Sequence, residues 1–181
     1  TLTGTNDAPV LTTGSTLAYT ENDSAKPINT AITVSDADHA TLTTAVVSIG
    51  TGFVSGQDEL SLVADSATMG NIAATYNSAT GELSLSSSGG TATLVQWQAA
   101  LRAVSYRNSS DNLNTADRTV SYVVSDGTSP GMAMTSTITL TAVNDAPVLT
   151  TSATARSYTE NQPAILANND LSLSDVDSAT L

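Results

Sequence analysis

Thr137-Ile138-Thr139-Leu140-Thr141-Ala142-Val143 alternates polar and apolar residues without a break. Successive side chains of a strand point to opposite faces, so Ile138, Leu140 and Ala142 share one face and the threonines the other. That pattern predicts a strand buried on one side, as in an antiparallel sheet. Working outward, runs rich in Val, Ile, Thr and Tyr recur at 16–20, 30–35, 43–49, 60–64, 72–76, 82–86, 103–107, 118–125 and 132–143, separated by Gly, Asn, Asp and Ser. Many short strands with turn residues between them predict an all-β fold, a Greek-key β-sandwich. Asn77-Ser78-Ala79-Thr80-Gly81 reads as a hairpin loop, with Gly81 supplying a positive φ. One stretch changes period. Leu94, Trp97, Leu101 and Val104 recur at three or four, which predicts one short helix at 93–102 with Thr93 as N-cap. Trp97 on its apolar face is expected to plug the core.

Immediately past Val143 the chain starts to repeat itself. Asn144-Asp145-Ala146-Pro147-Val148-Leu149-Thr150-Thr151 copies Asn6-Asp7-Ala8-Pro9-Val10-Leu11-Thr12-Thr13, from residue 6 to residue 144, an offset of 138. Tyr158-Thr159-Glu160-Asn161 copies Tyr19-Thr20-Glu21-Asn22, and Ser174-Asp175-Val176-Asp177 copies Ser35-Asp36-Ala37-Asp38, both now at 139 because one residue is inserted between. With Ala179-Thr180-Leu181 copying Ala40-Thr41-Leu42, four blocks in one order define a tandem repeat. Its period exceeds the roughly 20–50 residues of solenoid turns and marks an array of domains. Residues 1–5 then close a preceding repeat, 6–143 form a complete one, and 144–181 begin the next. The last segment is too short to bury a core and is expected to be extended or packed on a neighbour.

Composition narrows the setting. The 181 residues carry 17 Asp and Glu against 5 Lys and Arg, for a net charge of −12. Nucleic acid needs a clustered basic surface and is disfavoured as a partner, as is an anionic membrane. Cysteine is absent, so any staple must be non-covalent, and metal ions are the natural candidates. No run approaches the roughly 20 apolar residues of a membrane span.

The carboxylates cluster in the pattern. Asp36 and Asp38 form a D-x-D at a strand end, where alternate residues project to one side. Glu21 and its copy Glu160 follow Tyr-Thr. Asp117 opens the strand 118–125 and Asp126-Gly127 closes it. Asn6-Asp7 and Asn144-Asp145 precede Ala-Pro, and proline stiffens the chain there. Carboxylates gathered with few cations to pair them suit a hard dication. Ca2+ takes about 6–8 oxygen ligands from Asp, Glu, Asn and carbonyls, whereas Mg2+ prefers a tighter octahedron that keeps its water. Zinc is disfavoured with no Cys and one histidine, His39, which reads as an exposed loop residue.

In order, Tyr-Thr-Glu-Asn, Ser-Asp-Ala-Asp, Ala-Asp117-Arg118, Val-Ser-Asp126-Gly127 and Val-Asn144-Asp145-Ala-Pro resemble the calcium motifs of cadherin repeats. They are more similar still to the cadherin-like tandem repeats of large bacterial surface proteins, including RTX-type adhesins, over the whole of 6–143 and the start of the next copy. The resemblance implies one cluster per junction. Asn6, Asp7, Asp36, Asp38 and Asp126 would serve the N-terminal end; Glu21, Asp117, Asn144, Asp145, Asp175 and Asp177 would serve the C-terminal end. Two positions depart from the cadherin pattern: Thr119 stands where cadherins have Glu, and the junction lacks a second Asn.

The implied function is a calcium-rigidified extender repeat of an adhesin on the bacterial cell surface, partnered by adjacent repeats of its own chain and serving adhesion or biofilm formation. The alternative is a ligand-binding module, for glycans or for another copy through the unpaired edges of the incomplete repeat. Catalysis is not expected. No Ser or Cys lies in a nucleophile motif such as G-x-S-x-G. The sequon at Asn108 is read as carrying no glycan.

Overall fold

The computed structural model describes residues 4–151, 155–168 and 170–180. The expected alternation becomes strand β11, Met134–Thr141, in which Ser136, Ile138 and Leu140 are buried. Ala142 lies beyond the strand end and is exposed, so the inward face stops at Leu140. β11 belongs to a six-stranded sheet with β2 (Thr16–Thr20), β5 (Thr44–Ile49), β7 (Ile72–Asn77), β8 (Glu82–Ser87) and β10 (Arg118–Ser125), in the order β2-β11-β10-β5-β8-β7. Every pairing is antiparallel except β2 with β11, which is parallel and sets Leu17 beside Ile138 and Tyr19 beside Leu140.

A three-stranded sheet, β3 (Lys26–Pro27), β9 (Ser105–Asn108) and β6 (Asp58–Ser61), contributes Leu60 and Tyr106 to the same core as Val47, Leu83, Leu85, Val120, Tyr122 and Ile138 of the large sheet. The fold is an all-β sandwich. β6 begins two residues earlier than the expected run at 60–64, because Asp58 is an inward residue with buried partners. A two-stranded ladder pairs β1 (Val10–Thr12) with β4 (Thr33–Ser35).

The expected helix is α2, Leu94–Ala103, closed by a reciprocal cap: Thr93 Oγ1 accepts from Gln96 N, and Gln96 Oε1 accepts from Thr93 N at 2.9 Å. Trp97 is fully buried and donates Nε1–H to Leu42 O at 3.0 Å, which satisfies its one polar atom inside the core. A single turn, α1 (Ser66–Met69), was not expected; Asp65 caps it by accepting from Ala67 N. The hairpin turns at Gly81, whose φ is 71°.

One ion pair, Arg118 with Asp58, is buried inside the core. The inward positions of β10 are Arg118, Val120, Tyr122 and Val124, so a guanidinium points into the core. Asp58 meets it, Oδ2 accepting from Arg118 Nε at 3.0 Å and from Val54 N at 2.7 Å. Its other oxygen accepts from Tyr106 OH at 2.6 Å and Asn108 Nδ2 at 2.7 Å. Asn108 is therefore spent inside the fold, and its sequon has no free amide to offer.

The chain divides into two units, 1–142 and 143–181. The second contains the ladder β12 (Val148–Thr150) with β13 (Ser172–Ser174), which reproduces the β1–β4 ladder: Val148 pairs with Ser174 as Val10 does with Ser35. Tyr158 OH donates to Gln162 O at 2.8 Å as Tyr19 OH does to Asp23 O at 2.6 Å, and Asn161 and Asn22 both take a positive φ. The repeat legible in the letters is a repeat of geometry.

Candidate metal centre

Three local features converge at one end of the first unit. The β1–β4 ladder runs the segment before Val10 alongside the segment after Ser35, which brings Asn6-Asp7 to Asp36-Ala37-Asp38. The end of β10 is held against the start of β5 by Thr43 N donating to Ser125 O at 2.9 Å, and Asp126 follows directly. Gly127 turns the chain away with φ 101°, a conformation that favours glycine.

Hydrogen bonds fix the members. Asp7 N donates to Asp38 Oδ2 at 3.1 Å, and Asn6 Nδ2 donates to Asp126 Oδ2 at 2.9 Å. Asp36 Oδ1 accepts from Asp38 N at 3.1 Å and His39 N at 2.8 Å, while its Oδ2 is buried with no hydrogen-bond partner. Asp126 Oδ1 accepts from Thr128 N and Ser129 N at 2.6 and 2.7 Å. Two of these carboxyls, Asp38 and Asp126, are held ionised. The Asp7 N–H, ahead of Asp36 and His39, keeps Asp38 below the usual carboxylate range. The Ser129 N–H, then Asn6 and Thr128, do the same for Asp126.

His39 lies in a loop with its side chain 38% exposed, as expected, but its ring faces three carboxylates. Its Nδ1 lies 3.1 Å from Asp38 Oδ1, 3.7 Å from Asp36 Oδ1 and 3.8 Å from Asp126 Oδ2. Ligand atoms of Asp36, His39 and Asp126 fall within 4.8 Å of one another. The signal available in the sequence was adjacency alone, since His39 continues the D-x-D as D-x-D-H.

The second unit rebuilds the same network from its own residues. Asn144 Nδ2 donates to Asp145 O at 2.6 Å, Asp145 N donates to Asp177 Oδ2 at 2.9 Å, and Asp175 Oδ1 accepts from Asp177 N and Ser178 N at 3.2 and 3.0 Å. Asp175, then the Asp145 N–H, hold the Asp177 carboxyl low. Asp177 Oδ1 is buried without a hydrogen-bond donor.

Glu21 is buried in the first unit, its N–H donating to Thr141 O at 2.9 Å. Asp117 is exposed, just before the inward Arg118, and Glu160 is exposed in the second unit. The C-terminal set drawn from the resemblance thus falls into the four-residue network of the second unit, with Glu21 and Asp117 in the first.

The donor set fits a hard dication. In both copies backbone N–H groups orient carboxylates, and each copy leaves a buried carboxylate oxygen, Asp36 Oδ2 or Asp177 Oδ1, without a hydrogen-bond partner. A buried acceptor left unmade is costly, and a cation satisfies it. Asn6, Asp7, Asp36, Asp38 and Asp126 are the residues that would hold Ca2+ in the first copy.

No family model matches this chain. Over 123 residues, 66% of the chain, it is 37% identical to Halomucin of Haloquadratum walsbyi, and the chain spans about 1% of that relative's length. It is thus similar to one small segment of a very long protein, as a unit of a tandem array would be.

Proposed function

We propose that this chain is a calcium-rigidified extender repeat of a cell-surface adhesin, a cadherin-like unit whose role is to project a distal ligand-binding region. The observation that carries the reading is the duplicated carboxylate network, Asn6-Asp7 with Asp36 and Asp38, and Asn144-Asp145 with Asp175 and Asp177. In each copy the network grips the residues by which the chain enters the repeat, next to a stiff Ala-Pro. An ion at that point fixes how a repeat is entered and leaves fewer bending degrees of freedom to whatever precedes it. Similarity to a segment of a very long chain supports membership of a tandem array at the cell surface. Among the described residues no helix is long and apolar enough to cross a membrane.

The test is small-angle scattering of a chain of several consecutive repeats with and without calcium. The expected result is a longer maximum dimension and a narrower distance distribution with calcium. Identical profiles in calcium and in EDTA would remove the extender role.

A further inference from the structure

We propose that His39 lets the first-copy calcium centre also take a borderline transition dication of the Zn2+ class, held by His39 Nδ1 with the carboxylates of Asp36 and Asp126, while the second copy remains an all-oxygen site. The proposal rests on the reading of this cluster as a cation site, and it concerns which further ion the cluster accepts.

Geometry comes first. A tetrahedral ion with bonds of roughly 2.1 Å sets its ligand atoms about 3.4 Å apart. Ligand atoms of Asp36, His39 and Asp126 lie within 4.8 Å of one another, and His39 Nδ1 stands 3.8 Å from Asp126 Oδ2, close to that edge length, which leaves a fourth position open. Two of the ligands are rigid. The Asp36 and Asp126 side chains are fully buried, and each is pinned by two backbone N–H groups through Oδ1. Asp36 keeps one buried oxygen without a hydrogen-bond partner, which a cation would satisfy.

Chemistry then separates the two copies. Imidazole nitrogen suits Zn2+, Ni2+ and Cu2+, whereas sites of carboxylate and carbonyl oxygen suit Ca2+ and Mg2+. At the matching position of the second copy stands Ser178, whose N–H donates to Asp175 Oδ1 as that of His39 does to Asp36 Oδ1. The backbone role is shared and the nitrogen ligand is not.

The chain has one histidine, so 15N-histidine labelling gives a single ring signal. The experiment titrates the tag-free, metal-free full chain with ZnCl2, then with CaCl2, by calorimetry and by NMR of that ring, for wild type and His39→Ser. His39→Ser installs the residue of the second copy, and its unchanged amide spectrum away from residue 39 shows that it folds. The expected result is one Zn2+ site that shifts Nδ1 of the ring and weakens at least tenfold in His39→Ser, with Ca2+ affinity changed less than twofold. Zn2+ affinity unchanged by His39→Ser overturns the proposal. So does a ring that shifts at Nε2, or one that stays an imidazolium and ignores Zn2+. If Ca2+ binds both copies and Zn2+ leaves the ring untouched, this inference alone fails. If neither ion binds, the calcium reading fails with it.

Discussion

Replacing Asp58 with Ala removes the acceptor for four donors at once: Arg118 Nε, Val54 N, Tyr106 OH and Asn108 Nδ2. The arginine suffers most. Its side chain has no solvent exposure, and its Nη2 already lacks a partner. After the substitution only Nη1 remains bonded, to Asn114 O at 3.0 Å and to Ala116 O. A buried charge that loses its partner costs about 3–5 kcal/mol, out of a total stability of about 5–15 kcal/mol. For a unit of this size that is a fall of about 10–20 °C in Tm. The assay is urea and thermal denaturation in EDTA, so that metal binding does not contribute. Arg118→Met should cost a similar amount, and the double variant Asp58→Ala/Arg118→Met should cost at least about 2 kcal/mol less than the sum of the single changes. A cost below about 1 kcal/mol for Asp58→Ala, or strict additivity in the double variant, would refute the pairing.

Thr93→Ala breaks the reciprocal cap of α2 and should cost about 1 kcal/mol in urea denaturation, with Thr93→Ser close to wild type. Alkali should also unfold the protein. Burial, helped by the Asp58 hydrogen bond at Tyr106, raises the phenol pKa of Tyr106 and of Tyr122 well above the ordinary value. The unfolded chain loses these protons near pH 10 while the folded one keeps them, so the stability present below about pH 10 is lost as pH rises, by about 1.4 kcal/mol per unit for each tyrosine. Absorbance at 295 nm should show two of the five tyrosines ionising only on unfolding; smooth titration of all five in the folded state would contradict this.

Periodicity carried most of the fold. Alternation in 137–143 and the Val- and Thr-rich run 118–125 placed two neighbouring strands of the large sheet, and the three-to-four spacing with Thr93 placed α2, because each depends on local pattern. What escaped depends on short range or on long range. β1 and β3 are too short to show a period, and α1 is a single turn held by the Asp65 cap. The inward Arg118 was present in the alternation of β10, yet its partner Asp58 lies sixty residues away and no local rule links them. His39 escaped for the same reason, since a histidine after a D-x-D reads as a loop residue until Asp126 is brought beside it by the Thr43–Ser125 contact. The carboxylates Asp36, Asp38, Asp175 and Asp177 were legible because the sequence states them twice.

The central claim is that the Asn6, Asp7, Asp36, Asp38 and Asp126 cluster holds a calcium ion. The measurement that bears on it most directly is the melting of wild type and of Asp36→Asn/Asp126→Asn in EDTA and in 10 mM calcium. With a dissociation constant near 10⁻⁴ M, typical of extracellular calcium modules, this concentration is about a hundredfold excess and stabilises by about 2.7 kcal/mol. The predicted result is a clear rise in wild-type Tm with calcium that the double variant loses, the variant remaining folded in EDTA. Melting curves that coincide in EDTA and calcium, or a calcium shift that survives intact in the variant, would contradict it.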